Sequence, residues 1–95
     1  MMSQIMSEHR RLAILRHLAE ASGHVSNISI LADVCTGLGV TTSRDQCLTE
    51  AHWLGEQGLV LMNEDQFVLQ ATARGVDVAQ GRARVPGIKR PTPRS

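Results

Sequence analysis

The sequence predicts a mainly α-helical domain carrying one small β-hairpin, in the order α-α-α-β-β-α. Three observations predict it. Three stretches place apolar residues at the three- and four-residue spacing of a helix. Each is preceded by Ser, Asn or Thr and followed by Gly, the residue types that start and stop helices. After Gly58 come two short apolar runs separated by Asn63-Glu64-Asp65-Gln66.

The first helix is expected over Ser7 to Ala21, with Ser7 as its cap and Leu12, Leu15, Leu18 and Ala19 on one face. Ile14 lies at the edge of that stripe, where it would face a wing or a partner chain. Arg10, Arg11 and Arg16 read as a solvated face. Gly23 ends the helix. Asn27 or Ser26 caps the second helix, whose stripe is Ile28, Leu31, Cys35 and Leu38. Gly37 and Gly39 break it. Thr41 or Thr42 caps the third helix, which runs to about Gln57. Its buried face is Cys47, Leu48, Ala51 and Leu54, and its polar face is Arg44, Asp45, Thr49, Glu50, His52 and Glu56. Leu59 to Met62 and Phe67 to Gln70 are the strands, joined by a hairpin turn. Thr72 caps a fourth helix with Val76 and Ala79 facing in, fading near Gly81.

Ninety-five residues make one domain, and 42% hydrophobic content is enough for one modest core. Phe67 and Trp53 are its only aromatics, so that core is aliphatic. No apolar run is long enough to cross a membrane, and no apolar leader follows the N-terminus, so a cytoplasmic protein is expected. Charge is unevenly spread. Residues 1–81 hold five arginines against nine acids, whereas residues 82–95 hold Arg82, Arg84, Lys89, Arg90 and Arg94 with no acid. Those last residues also contain Pro86, Pro91 and Pro93. The organisation expected is a flexible N-terminus over 1–6, a folded domain over 7–81 and a basic flexible tail over 82–95.

Cys35 and Cys47 read as small buried hydrophobes. His9, His17, His24 and His52 show no metal-ligand spacing, so no metal or other cofactor is expected. No elbow motif, phosphate loop or paired carboxylates stand out, so no catalytic residue is assigned and an enzyme is not expected.

Two helices joined by a tight Gly-containing turn and followed by a two-stranded wing make a winged helix-turn-helix. The layout resembles winged-helix regulators of the ArsR and MarR type. The residues that carry the resemblance are Ser43-Arg44-Asp45, Trp53-Leu54-Gly55-Glu56-Gln57-Gly58-Leu59-Val60 and Thr72-Ala73-Arg74-Gly75. The ending through Gly81-Arg82 and Pro86-Gly87-Ile88-Lys89-Arg90-Pro91 is similar to small proteins of Mu-like phages and prophages. This resemblance implies transcriptional regulators that bind double-stranded DNA, often as homodimers, through the third helix and the wing. Carried over, it puts Thr42, Ser43, Arg44 and Gln46 at the start of the reading helix. The metal-sensing cysteine motif of ArsR proteins is absent.

Charge bears on that expectation. Phosphate neutralisation supplies much of the affinity of a DNA reader. The third helix offers Arg44 against Asp45, Glu50 and Glu56, and the hairpin tip carries Glu64 and Asp65. The tail cations Arg82, Arg84, Lys89, Arg90 and Arg94 would have to compensate. The alternative is a winged helix used as a protein-interaction module, in phage assembly or in modulating host machinery. Trp53 has two readings: it closes the core between the third helix and the wing, or it is an exposed anchor for a second subunit or another protein.

Overall fold

The computed structural model describes residues 1–92. It is mainly helical with a small antiparallel sheet of three strands. In chain order the elements are α1 (Met2–Glu20), β1 (Val25–Asn27), α2 (Ile28–Gly37), α3 (Arg44–Glu56), β2 (Val60–Asn63), β3 (Val68–Ala71) and α4 (Ala73–Ala79). The strand order is β1-β3-β2, with Val25 opposite Gln70 and Leu61 opposite Gln70 from the other side. The four expected helices and the hairpin are present. The arrangement is compatible with a winged-helix-like layout.

The core is aliphatic. Ile14, Leu15, Leu18, Ile28, Leu31, Leu54, Leu59 and Leu69 have no exposed surface. Cys35 and Cys47 are buried among them with free thiols. Ile14 is therefore not at an interface. It is a core residue, because α1 is covered on a broad arc by α2, α3, β3 and α4. That arc also takes in Ala13 and half-buried Ala19.

Three helices end in the same way. After α2, α3 and α4, Gly39, Gly58 and Gly81 adopt left-handed φ values of +94°, +74° and +80°. The next residue then bonds back into the last turn: Val40 N–H to Cys35 O, Leu59 N–H to Leu54 O and Arg82 N–H to Asp77 O. A side chain disfavours this conformation, so glycine marks the stop.

The helix starts are as specific. Asn27 caps α2 by accepting from the Ile30 N–H, and Thr72 caps α4 by accepting from the Gly75 N–H. The cap of α3 is Ser43, not Thr41 or Thr42. Ser43 forms a reciprocal box with Gln46, each side chain bonding the other's backbone N–H.

Three expectations about the chain's organisation are corrected, and one element is added. Residues 2–6 are helical, as part of α1, although Met1, Met2 and Ile5 are exposed. Leu38 is 66% exposed, because α2 stops at Gly37 and its stripe ends at Cys35. β1 was not foreseen; it is only Val25–Asn27, too short to show a period, and exists through pairing with distant β3. Of the flexible tail expected over 82–95, residues 83–91 are packed on the domain, and residues 93–95 lie outside the described residues. Val85 is buried, Ala83 and Ile88 pack on the core, and the Lys89 N–H donates to Glu8 O at 3.3 Å.

Among the described residues no helix is long and apolar enough to cross a membrane.

Candidate nucleic-acid interface

The residues expected to meet DNA fall into three groups. Thr42 is spent on structure. It is only 7% exposed, and its Oγ1 accepts from Arg10 Nε at 3.0 Å and donates to Val40 O at 2.6 Å. Its N–H donates to Thr36 Oγ1. A second Arg10 nitrogen donates to Thr41 O at 3.0 Å, so the α2–α3 turn is tied down on α1. Arg10 is thus no solvated residue; it is 8% exposed. Ser43 and Gln46 are exposed but hold each other in the capping box.

Arg44 is the remaining residue of that set, the first residue of α3, and exposed. Its guanidinium lies 4.6 Å from the centroid of the Phe67 ring, and its Nε is 3.4 Å from Ser29 Oγ. Phe67 takes a left-handed φ of +53° as the hairpin returns, and its carbonyl accepts from the Ile28 N–H at 3.0 Å. Arg44 therefore stands where α2, α3 and the hairpin meet. Farther along α3, His52 Nδ1 lies 3.7 Å from Glu64 Oε1 across an exposed contact. Asp45, Glu56, Glu64 and Asp65 are all exposed. This face is mostly acidic.

The cations of residues 82–92 gather elsewhere. Arg82 pairs loosely with Asp77 at 3.8 Å. Arg84, Lys89 and Arg90 line a cleft of about 450 Å³ whose floor includes Val78, Val85 and Ile88. Arg90 also faces Arg16 across a wider cleft of about 1060 Å³ between α1, the end of α4 and the C-terminal segment. Arg94 lies outside the described residues.

What fixes this segment is a junction that sequence reasoning missed. Arg11 Nε donates to Glu50 Oε1 at 2.8 Å, and its NH1 nitrogen donates to Gly87 O at 2.8 Å. The same guanidinium lies 3.9 Å from the centroid of the Trp53 ring. Gly87 has a φ of +96°, and a Cβ there would stand 2.7 Å from the ring. Glu50 is 4% exposed, so it is not part of the polar face of α3. Trp53 is half-buried and packs against the core, with Arg11 and Gly87 covering its ring. A signal was present in the spacing. Glu50 falls at the helical position between Cys47, Ala51 and Leu54, squarely on the buried stripe.

Burial raises the Cys35 thiol pKa and pushes that of Cys47 up to about 12, so both stay protonated at neutral pH. Among the described residues no three His, Cys, Asp or Glu side chains are grouped to hold a metal ion.

No protein-family profile matches the chain, and no solved structure does. Over 97 aligned positions it is 44% identical to the uncharacterized protein gp26 of Escherichia phage Mu, with both chains covered in full. It is also 40% identical over 57 residues to an uncharacterized protein of Haemophilus influenzae, across 60% of this chain and 55% of that one.

Proposed function

The chain belongs to the family of the Mu phage protein gp26, and on that premise we propose that it binds double-stranded DNA. In this reading it is a winged-helix regulator of phage or prophage transcription, cytoplasmic and able to act as a homodimer. The observation that carries the reading is the start of α3. There a capped helix, an exposed Arg44 and a neighbouring hairpin stand together after a tight turn. Helix-start amides and an arginine suit a phosphate or a guanine edge. One cation is too few for useful affinity; in this reading the rest comes from Arg84, Lys89 and Arg90, which line a cleft apart from α3 and would reach the duplex from a second copy.

A fluorescence titration of labelled random duplex at several salt concentrations tests this. Each phosphate contact contributes about −0.9 to the slope of log affinity against log salt. Replacing Arg84 and Arg90 by Ala is expected to flatten the slope by about two contacts' worth, roughly 1.8. Absence of binding at low salt would sink the proposal.

A second reading is favoured by one specific observation. The face made by α3 and the hairpin tip exposes Asp45, Glu56, Glu64 and Asp65, which repel a phosphate backbone. In that reading the domain is a protein-interaction module of phage assembly or of host modulation, and this face meets a basic protein surface.

A further inference from the structure

The molecule carries two surfaces of opposite character that share no residue. One is the hairpin. Leu61 on β2 is 64% exposed, three residues before Glu64 in the turn that also holds Asp65. Leu61 is on the outer face of the sheet, because its neighbours Val60 and Met62 point inward and are covered. Leu61 is thus an apolar knob on the outer face, while at the tip Glu64 leans toward His52 of α3 at 3.7 Å and Asp65 is exposed. The other surface is the cleft behind the C-terminal segment, with an apolar floor of Val78, Val85 and Ile88 and a rim of Arg84, Lys89 and Arg90. No acidic residue lines it among the described residues. It is an apolar socket ringed by cations.

We propose that the hairpin tip of one copy docks into this cleft on a second copy, Leu61 entering the floor while Glu64 and Asp65 meet the arginine and lysine rim. Burying Leu61 removes apolar surface from water. Opposite charges at the rim fix orientation and raise the encounter rate. Because the two patches differ, the contact is heterologous, and each docked copy still offers a free hairpin or a free cleft. Association therefore propagates head to tail, into a ring or an open chain. The inference stands apart from DNA binding, but the two compete for Arg84, Lys89 and Arg90, so assembly and DNA binding oppose each other.

Sedimentation velocity on the full chain, at rising concentration in low and high salt, tests it. Association is expected at low salt and weakens roughly tenfold or more in high salt, as a charge-guided contact does. The charge reversals Glu64→Lys with Asp65→Lys, and Arg84→Glu with Arg90→Glu, lie at exposed positions. Each is expected to keep the far-ultraviolet spectrum and to abolish self-association. Mixing the two reversed proteins is expected to restore assembly, since each then carries the other's complement. As an uncharged check, Leu61→Ser weakens association without changing net charge. A chain that stays monomeric, association indifferent to either reversal, or a mixture that fails to assemble overturns the proposal. The same variants titrated with duplex DNA keep the two ideas separate. Loss of DNA binding by the cleft reversal alone supports DNA contact, whatever the state of assembly.

Discussion

Arg11 and Arg44 each lie over an aromatic ring, and their situations are opposite. Arg11 stacks on Trp53 and spends its nitrogens on a buried carboxylate and a backbone carbonyl, both at 2.8 Å. Arg44 stacks on Phe67 at a longer 4.6 Å, and its hydroxyl contact is stretched to 3.4 Å in an exposed place. In the first junction the charge is enclosed, and removing any partner strands the others. In the second, water replaces each contact at little cost. The same residue pair thus builds the fold at one end of α3 and remains available to a ligand at the other.

The sharpest way to break this comparison is Glu50→Ala. It leaves Arg11 facing an apolar gap, and a loss of about 3–5 kcal/mol is expected in urea unfolding. Glu50→Gln keeps an acceptor and should cost less. Next comes Gly87→Val, which drives a side chain into the Trp53 ring. Unseating the segment is expected to cost about 1–3 kcal/mol and to shift the Trp53 emission to the red as water reaches it. If emission does not move, the segment is not held by that ring.

Alkaline stability comes third. Burial pushes the Cys47 pKa up to about 12 in the fold, from the 9.0 of an ordinary thiol. A raised folded pKa gives stability that is whole below the unfolded value and lost as pH climbs toward the folded one. Unfolding free energy is therefore expected to fall above pH 9, by up to about 1.4 kcal/mol per pH unit for each such thiol. Cys47→Ala should flatten that slope. The smallest effect is expected for Arg44→Ala, within about 0.5 kcal/mol for stability. Its DNA affinity should nevertheless fall, by about 1–3 kcal/mol if Arg44 reads a guanine edge. A variant that loses stability instead would place Arg44 with Arg11.

Where the sequence was legible, the signal was local. Gly39 and Gly58 stop their helices because the left-handed turn they need is set within a few residues. The caps Asn27 and Thr72 work the same way. What was illegible depends on distant partners. Arg11 and Gly87 are 76 residues apart, Arg11 and Glu50 are 39 apart, and no local pattern joins them. Charge itself misled: Arg10 and Glu50 read as surface residues, although both occupy positions on buried helical stripes. Thr42 misled in a related way, since a hydroxyl at a helix start suits a phosphate and suits an arginine of the same chain equally well. Composition suggested a loose tail because three prolines and five cations discourage a core, yet Val85 and Ile88 anchor it.

The bond from the Lys89 N–H to Glu8 O stitches the C-terminal segment to the first helix. The order in which the chain is read is therefore largely independent of the shape it makes. Joining the C-terminal segment to α1 by a flexible linker, with a new opening cut between Glu64 and Asp65 at the exposed hairpin tip, is expected to rearrange the sequence while keeping the core. Such a circularly permuted chain keeps the cleft and splits the hairpin, turning one continuous knob into two loose chain ends.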